Sequence, residues 1–176
     1  MLLEWVAEWR GMRNIPIGFM TPDVICSNTN YLVPDASLFV FGILTSAMHM
    51  AWTSVVCGRL KSDFRYSASI VYNTFPWPGQ PTNAQHEKIE AAAQAVLDAR
   101  AQFPDATLAD LYDPLTMPPA LVKAHQKLDI AVDAAYGKKN FKNDAERVAF
   151  LFTLYQQHTS LLPVVGKTKR PRKSKT

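Results

Sequence analysis

The sequence predicts an α+β fold, in which a small mixed α/β part is followed by a C-terminal helical bundle. Residues 76–81 mark the boundary, because three prolines and a glycine in six positions can continue neither a helix nor a central strand. Before this segment, aromatic and β-branched residues alternate with turn residues, whereas alanine-rich helical patterns dominate after it. We therefore expect one part over residues 1–78, a second over 79–162 and a disordered basic tail over 163–176.

Three strands are expected in the first part. Residues 15–20 and 31–33 are rich in β-branched and aromatic side chains, and turn-forming residues lie between them. Residues 66–72 have a similar composition and predict a third strand.

One long helix is expected between the second and third strands. Apolar side chains recur at helical spacing over residues 38–57, with Asp35 or Ser37 as the N-cap and Gly58 at the end. Polar residues interrupt this stretch, so it predicts a buried helix of a soluble protein rather than a membrane span. The N-terminus has no signal-peptide cleavage site, so we expect a cytoplasmic protein.

Three helices are expected in the second part. The first covers residues 83–102, and the second follows a pair of prolines at positions 118 and 119 and stops before Gly137. The third begins at Asn143, a capping residue with an acidic side chain three positions on. Each helix has one apolar face, which is typical of a small bundle.

The charge of the chain is concentrated in its tail. The last ten residues hold six of the 19 basic side chains and none of the 15 acidic ones, so the rest carries 13 basic and 15 acidic groups. Nucleic-acid binding by the body of the chain must therefore come from local placement of residues. The tail is either a phosphate-attracting segment or a solubilising end.

The four histidines do not have metal-ligand spacing, and we expect no metal site. His125 lies in an apolar helical stripe and is interpreted as a hydrogen-bonded core residue. His49 lies in the long helix of the first part, which we expect to pack behind the segment that follows it.

Six stretches in one colinear order between Ile15 and Leu161 resemble the MmeI-like DNA methyltransferases, whose longer members combine methylation and restriction in one polypeptide. The stretches are IPIGFMTPDVICSN, FGILTSAMHMAW, CGRLKSDFRYS, IVYNTFPWP, LADLYDPLTMPPALVKAHQKLDIAVDAAYG and DAERVAFLFTLY. The resemblance implies that the first part is the C-terminal portion of a DNA target-recognition domain, and that the second is the family's helical C-terminal domain.

The same resemblance implies that the chain works with an S-adenosylmethionine-dependent N6-adenine methyltransferase of class I. Such enzymes bind their cofactor at a glycine-rich turn and hold adenine beside an Asn/Asp-Pro-Pro-aromatic motif. This sequence contains no G-x-G, and neither residues 73–76 nor residues 117–120 have the required order. We therefore expect no catalytic residue and no bound cofactor here. The catalytic domain would lie in another polypeptide or in an upstream segment.

Lys61 and Asp63 are the residues expected to read bases. A lysine can donate to guanine, and a carboxylate can accept from the amino group of cytosine. Two residues apart in extended backbone, they would project to the same side and read both halves of one G·C pair. In the resembling family these positions discriminate one base pair of the target. The alternative is an exposed charge pair that contributes little.

Two further sets of residues are expected to contact phosphates or to position the chain: Arg59, Arg65 and Ser67 beside the reading pair, and Ser27, Asn28 and Asn30 in the turn between the first two strands. For the second set, ordinary turn residues are an equally good interpretation. The expected partners are double-stranded DNA and the methyltransferase catalytic domain or subunit. The alternative function is a structural or interaction module without specific DNA reading.

Overall fold

The computed structural model describes residues 2–6, 8–9, 14–15, 17–21, 23–26, 30–60, 63–138 and 141–160, and for residues 2–6, 8–9, 59, 60 and 63 it describes the backbone alone. Strands and helices follow one another as β1 Leu2–Val6, β2 Glu8–Trp9, β3 Ile17–Met20, β4 Asn30–Val33, α1 Leu38–Leu44, α2 Ala47–Val56, β5 Gly58–Leu60, β6 Asp63–Arg65, α3 Asn83–Ala101, α4 Leu108–Leu111, α5 Pro119–Ala135 and α6 Asp144–Thr159. This order confirms the predicted α+β class, with every described strand before residue 66 and a helical region after it. The basic tail lies outside the described residues.

The strands form two small antiparallel sheets. One has the order β3-β1-β4 and the other the order β2-β6-β5. Because β1 and β2 are separated by Ala7 alone, the N-terminal segment contributes one strand to each sheet. The sequence interpretation assigned no strand to this segment, although it did predict β3 and β4.

The helix expected over residues 38–57 is divided into α1 and α2, which meet at an angle of 51°. Ser37 caps α1, as one of the two predicted alternatives had it, and Ser46 caps α2 by accepting from the His49 amide. The Thr45 hydroxyl donates to the Ile15 carbonyl at 3.2 Å, so tertiary contacts occupy the break. Among the described residues no single helix is long and apolar enough to cross a membrane, and α1 and α2 meet that criterion only when taken together.

The prediction of a strand over residues 66–72 is wrong. Strand β6 ends at Arg65, and Ala68–Tyr72 form one turn of π-helix. Val71 is fully buried, and the Val71 amide donates to the Ser67 carbonyl at 2.7 Å. Burial of this side chain therefore overrides the β-propensity of the segment.

The three predicted helices of the second part are confirmed as α3, α5 and α6. Thr82 and Gln85 form a reciprocal capping box at the start of α3, and Asn143 caps α6. Helix α5 ends beside Gly137, whose φ of +78° lies in the left-handed region that favours glycine. The short helix α4 was not predicted.

One hydrophobic core runs through both parts of the chain. Helix α1 packs against α3 and α5, and α2 packs against α6. Trp52 on α2, for example, lies 5.3 Å from the ring of Phe152 and 5.6 Å from that of Tyr155 on α6. Core packing therefore crosses residue 78, and the division of the chain at that residue stays a prediction about its domains.

We expect Gly42→Ala to destabilise the fold by about 1–3 kcal/mol, because the core is overpacked there. A Cβ built at Gly42 on α1 lies 2.8 Å from Ile89 Cγ2 and 3.3 Å from both the Ala93 and Leu128 side chains. This clash outweighs the gain of roughly 1 kcal/mol that alanine brings within a helix. Urea unfolding measures the change.

Gly79→Ala is the matched control, since a Cβ at Gly79 meets nothing within 4 Å. Its effect should stay within about 0.5 kcal/mol. Equal midpoints for wild type and Gly42→Ala would contradict the close packing of α1 on α3.

Candidate nucleic-acid interface

Strands β5 and β6 form a tight hairpin that contains the segment expected to read bases. Leu60 pairs with Asp63 and Gly58 with Arg65, so the chain reverses direction between residues 60 and 63. The prediction that Lys61 and Asp63 project to the same side of extended backbone falls partly on residues outside the described ones, and it stays a prediction. Lys61 itself lies outside the described residues, and for Asp63 and Arg59 only the backbone is described.

A buried hydrogen bond anchors this hairpin to the helical body. Tyr66, the residue after β6, is 2% exposed, and its hydroxyl lies 2.9 Å from Nε2 of His49 on α2. Burial lowers the pKa of His49 to about 3, so the imidazole is neutral and the bond joins two uncharged groups. Burial also raises the pKa of Tyr66. His49 thus packs behind the β5–β6 hairpin, as the sequence predicted.

Successive side chains of β6 point to opposite faces, so one anchors the strand and the next is exposed. Phe64 is half-buried against the hydrophobic core, whereas Arg65 is exposed. Beyond the strand, the Ser67 hydroxyl lies 2.9 Å from that of Ser69. Arg65 therefore has the accessibility that a phosphate contact requires, and Ser67 shares its hydroxyl with a neighbour.

The two sheets meet beside this hairpin. Val6 on β1 pairs with Asn30, and Glu8 on β2 pairs with Arg65, so the partners of Asn30 and Arg65 are two residues apart in the chain. The ring of Tyr31 on β4 lies 5.9 Å from that of Tyr66. Asn30 and Arg65 come from two separate predicted sets, and each directly precedes one of these tyrosines.

The structure thus brings Asn30 and the residues around Arg65 into one region, which we name the reading edge and define as Asn30–Tyr31 and residues 63–67. Ser27 and Asn28 lie outside the described residues. Sequence reasoning missed Tyr66 as the anchor of this edge. The β-type composition of residues 66–72 predicted a strand that begins at Tyr66, whereas Tyr66 directly follows the end of β6.

A separate cleft of about 860 Å³ lies between α2, α5 and the start of α6. Asp129 on α5 lines it, and its Oδ1 accepts from the Ala47 amide at 2.7 Å, which satisfies one free donor at the start of α2. Burial raises the pKa of Asp129 to about 6, against the opposing effects of the Ala47 amide and Arg147. Arg147 itself pairs with Asp133 at 2.7 Å and with Asp144 at 3.0 Å, so it joins α6 to α5.

Two family models cover nearly all of the chain. The model of the MmeI target recognition domain matches residues 10–79, and the model of the MmeI C-terminal domain matches residues 81–163.

The chain belongs to the MmeI family.

Two relatives agree with this assignment. DNA methyltransferase A of Bacillus subtilis (strain 168) is 48% identical over 145 residues, which are 82% of this chain and 16% of that protein. A solved structure of the type IIL restriction-modification enzyme MmeI in complex with DNA is 51% identical, with a TM-score of 0.87 over 91% of this chain and 21% of the MmeI chain. The resemblance found in six sequence segments is confirmed, and the chain spans about a sixth to a fifth of the length of these relatives.

We expect Tyr66→Phe to lower the free energy of unfolding by about 1–3 kcal/mol, because it leaves a buried imidazole without its partner. His49 has no hydrogen bond at Nδ1 within the described residues, so the change leaves neither ring nitrogen satisfied. Urea unfolding of the two chains measures the loss. Tyr155→Phe is the control, because the Tyr155 ring is half-buried on Trp52 and its hydroxyl has no described hydrogen bond. Equal effects of the two changes would show that Tyr66 does not anchor the hairpin through its hydroxyl.

Asp129→Asn should change the pH dependence of stability. The folded chain holds the Asp129 proton up to about pH 6, whereas the unfolded chain releases it near the ordinary value of 3.8, so this group makes wild type less stable as the pH rises between those values. Asparagine keeps an acceptor for the Ala47 amide and carries no charge. The variant should match wild type near pH 4 and exceed it near pH 7 by on the order of 2 kcal/mol.

Urea unfolding at unit intervals from pH 4 to pH 7 tests this expectation. Asp129→Ala removes the charge and the acceptor together, so it should fall below Asp129→Asn at every pH. A constant difference between wild type and Asp129→Asn over this range would contradict the raised pKa.

Proposed function

We propose that this chain reads the base sequence of double-stranded DNA on behalf of an N6-adenine methyltransferase of restriction-modification type. The observation that supports this most directly is the reading edge, where two sheets from distant segments meet around Tyr31 and Tyr66. The first half matches the family's target recognition domain, and a relative of 51% identity is described in complex with DNA. An interaction module without DNA reading is therefore not favoured.

We assign direct base contact to Asp63, within the reading edge, and to Lys61, which lies two positions before it in the chain. A lysine donor and a carboxylate acceptor complement guanine and cytosine in the major groove. The pairing of Leu60 with Asp63 places the Asp63 backbone at the start of β6, in a two-stranded ribbon with β5. A two-stranded ribbon fits the width of the major groove. This ribbon supports the assignment of Asp63 to a major-groove contact.

We assign phosphate contact or positioning to the flanking residues, namely Arg59, Arg65, Ser67, Ser27, Asn28 and Asn30. Phosphate contacts fix the register of a protein on the duplex without carrying sequence information. Arg65 is the best-supported member, since it is exposed on the strand that follows the hairpin tip. The basic tail adds attraction that does not depend on sequence.

The residues of this chain do not fit S-adenosylmethionine. The described connection from β4 to α1, residues 34–37, contains no glycine, and the sequence contains no G-x-G turn. When bound elsewhere in the enzyme, this cofactor supplies the methyl group for adenine. We propose that a separate methyltransferase catalytic domain or subunit binds it and that this chain alone transfers no methyl group.

Lys61→Ala should relax the sequence preference of the chain at one base pair and leave the other positions unchanged. The preferred site is obtained by selecting duplexes from a random pool with the full 176-residue chain. Loss of one good base contact corresponds to about 1–3 kcal/mol of discrimination at that pair. Binding of the selected duplex and of its single-base variants, titrated against salt, gives the measurement.

Two control variants separate base reading from general attraction. Arg65→Ala should weaken binding to all duplexes alike and reduce the salt slope by about one. Lys88→Ala removes an exposed lysine of α3, far in sequence from the reading edge, and should change neither quantity. If wild type selects no site, or if all three variants weaken binding equally, the chain does not read DNA.

A further inference from the structure

Asn14, Ile15 and Ile17, around the start of β3, make polar contacts with the helical body. The Asn14 side chain donates to the Thr45 carbonyl at 3.2 Å, and the Thr45 hydroxyl donates to the Ile15 carbonyl at 3.2 Å. The Ile17 carbonyl accepts from Arg100 Nη1 at 2.6 Å. Each described residue of this segment therefore makes a buried, directional contact with residues far along the chain.

Arg100 on α3 is a buried cation without a carboxylate partner among the described residues. It is 9% exposed, and its Nε donates to the Tyr112 hydroxyl at 2.9 Å while Nη2 donates to the same oxygen. Its guanidinium carbon lies 5.4 Å from the centre of the Phe41 ring and 4.9 Å from that of Tyr112. Aromatic faces, a phenol and a backbone carbonyl thus stabilise the charge.

The contacts continue from Tyr112 back to the same segment. The Tyr112 hydroxyl lies 2.6 Å from His125 Nε2, and His125 Nδ1 lies 3.1 Å from Asn14 Nδ2. His125 is 3% exposed, and burial together with the Arg100 charge lowers its pKa to about 3. The prediction of a hydrogen-bonded core histidine is confirmed. The contacts form a closed network in which Arg100 is the one charged group.

The segment that the network holds is connected to the reading edge through backbone pairing. Ile17 pairs with Trp5 on β1, and Trp5 pairs with Tyr31 on β4. Tyr31 in turn contacts Tyr66, which directly follows β6. A shift of β3 relative to α3 would therefore be transmitted through one three-stranded sheet to Asn30 and the hairpin.

Hydrogen bonds are suited to holding β3 in place because they fix direction as well as distance. Apolar packing around Ile17 tolerates small sliding movements, whereas a guanidinium that donates to one carbonyl and one hydroxyl accepts a single arrangement. Base reading needs side chains held within a fraction of an ångström of their working geometry.

We propose that Arg100, Tyr112 and His125 are positioning residues for DNA reading, which set the place of β3 and hence of the reading edge relative to the helical body. They touch no DNA in this proposal. The C-terminal helical half thereby determines how accurately the target-recognition half discriminates bases. This inference rests on the proposed function.

Tyr112→Phe tests the proposal with the full chain, since it removes the hydroxyl at the centre of the network and keeps the ring. Tyr136→Phe is the matched control, because the Tyr136 hydroxyl donates to the Pro76 carbonyl at 3.0 Å and has no described hydrogen bond to β3. Each variant is measured for hydrogen exchange of the β3 amides and for binding to the selected duplex and to its single-base variants.

We expect Tyr112→Phe to speed exchange in β3 and to reduce the ratio of affinities for the selected and variant duplexes about tenfold, with the salt slope unchanged. Tyr136→Phe should lose comparable stability but keep both the β3 exchange rates and the ratio. Equal losses of discrimination in the two variants would indicate general loosening and overturn the proposal, and so would unchanged discrimination in Tyr112→Phe.

Two provisions keep these outcomes distinct. If Tyr112→Phe does not fold, Arg100→Lys replaces it, because lysine keeps the charge but lacks the two-sided donor geometry, and the same loss of discrimination is expected. If wild type selects no DNA site, the proposed function fails. The exchange measurement then still decides whether the network holds β3, and unchanged exchange overturns that as well.

Discussion

Helices α1 and α2 have seven and ten residues, and both are mainly apolar. Helices of this length are marginal when isolated in water, so their stability comes from burial. That burial is supplied by α3 and α5 for α1 and by α6 for α2, all of which follow the proline-rich boundary. The two three-stranded sheets, with strands of two to five residues, depend on the same helices because sheets of this size need a packed face.

Polar groups buried within this apolar body determine geometry as well as stability. Burying the Arg100 charge costs desolvation energy, and well-packed apolar side chains in place of such a buried ionic network often give a protein of equal stability. The contacts of the network around Arg100 nevertheless end on the Ile15 and Ile17 carbonyls, at the start of β3. The Asp129 contact with the Ala47 amide acts in the same way at the start of α2, where it fixes the bend after α1.

Sequence reasoning succeeded where local signals decide the structure and failed where distant contacts decide it. Helix ends were marked correctly by the capping residue Asn143, by the proline pair at the start of α5 and by Gly137, because capping is a local interaction. The break between α1 and α2 depends on the contact of Thr45 with Ile15, 30 residues away, and on that of Ala47 with Asp129, 82 residues away. The periodicity of apolar residues along the sequence gives no information on such distant contacts. Arg100 gave a signal that was not used, since it occupies a position on the buried stripe of α3. Within the candidate site, Asn30 and Arg65 were named from composition, but their proximity follows from strand pairing and the Tyr31–Tyr66 contact.

The charge distribution favours a division of roles between the groups that discriminate bases and the groups that attract the chain to phosphates. Outside the last ten residues the chain carries 13 basic and 15 acidic side chains, so it lacks the general positive charge that holds many proteins on DNA. Under the proposed function, a few placed groups discriminate bases while most of the attraction to phosphates comes from the tail and from the catalytic domain or subunit. Base contacts each contribute only about 1–3 kcal/mol of discrimination, a gain that positional error easily removes. Under the proposed function, a body without general positive charge needs a rigid support for its base contacts more than it needs additional charge, and under the same proposal the buried polar network between β3 and the helical half provides that support.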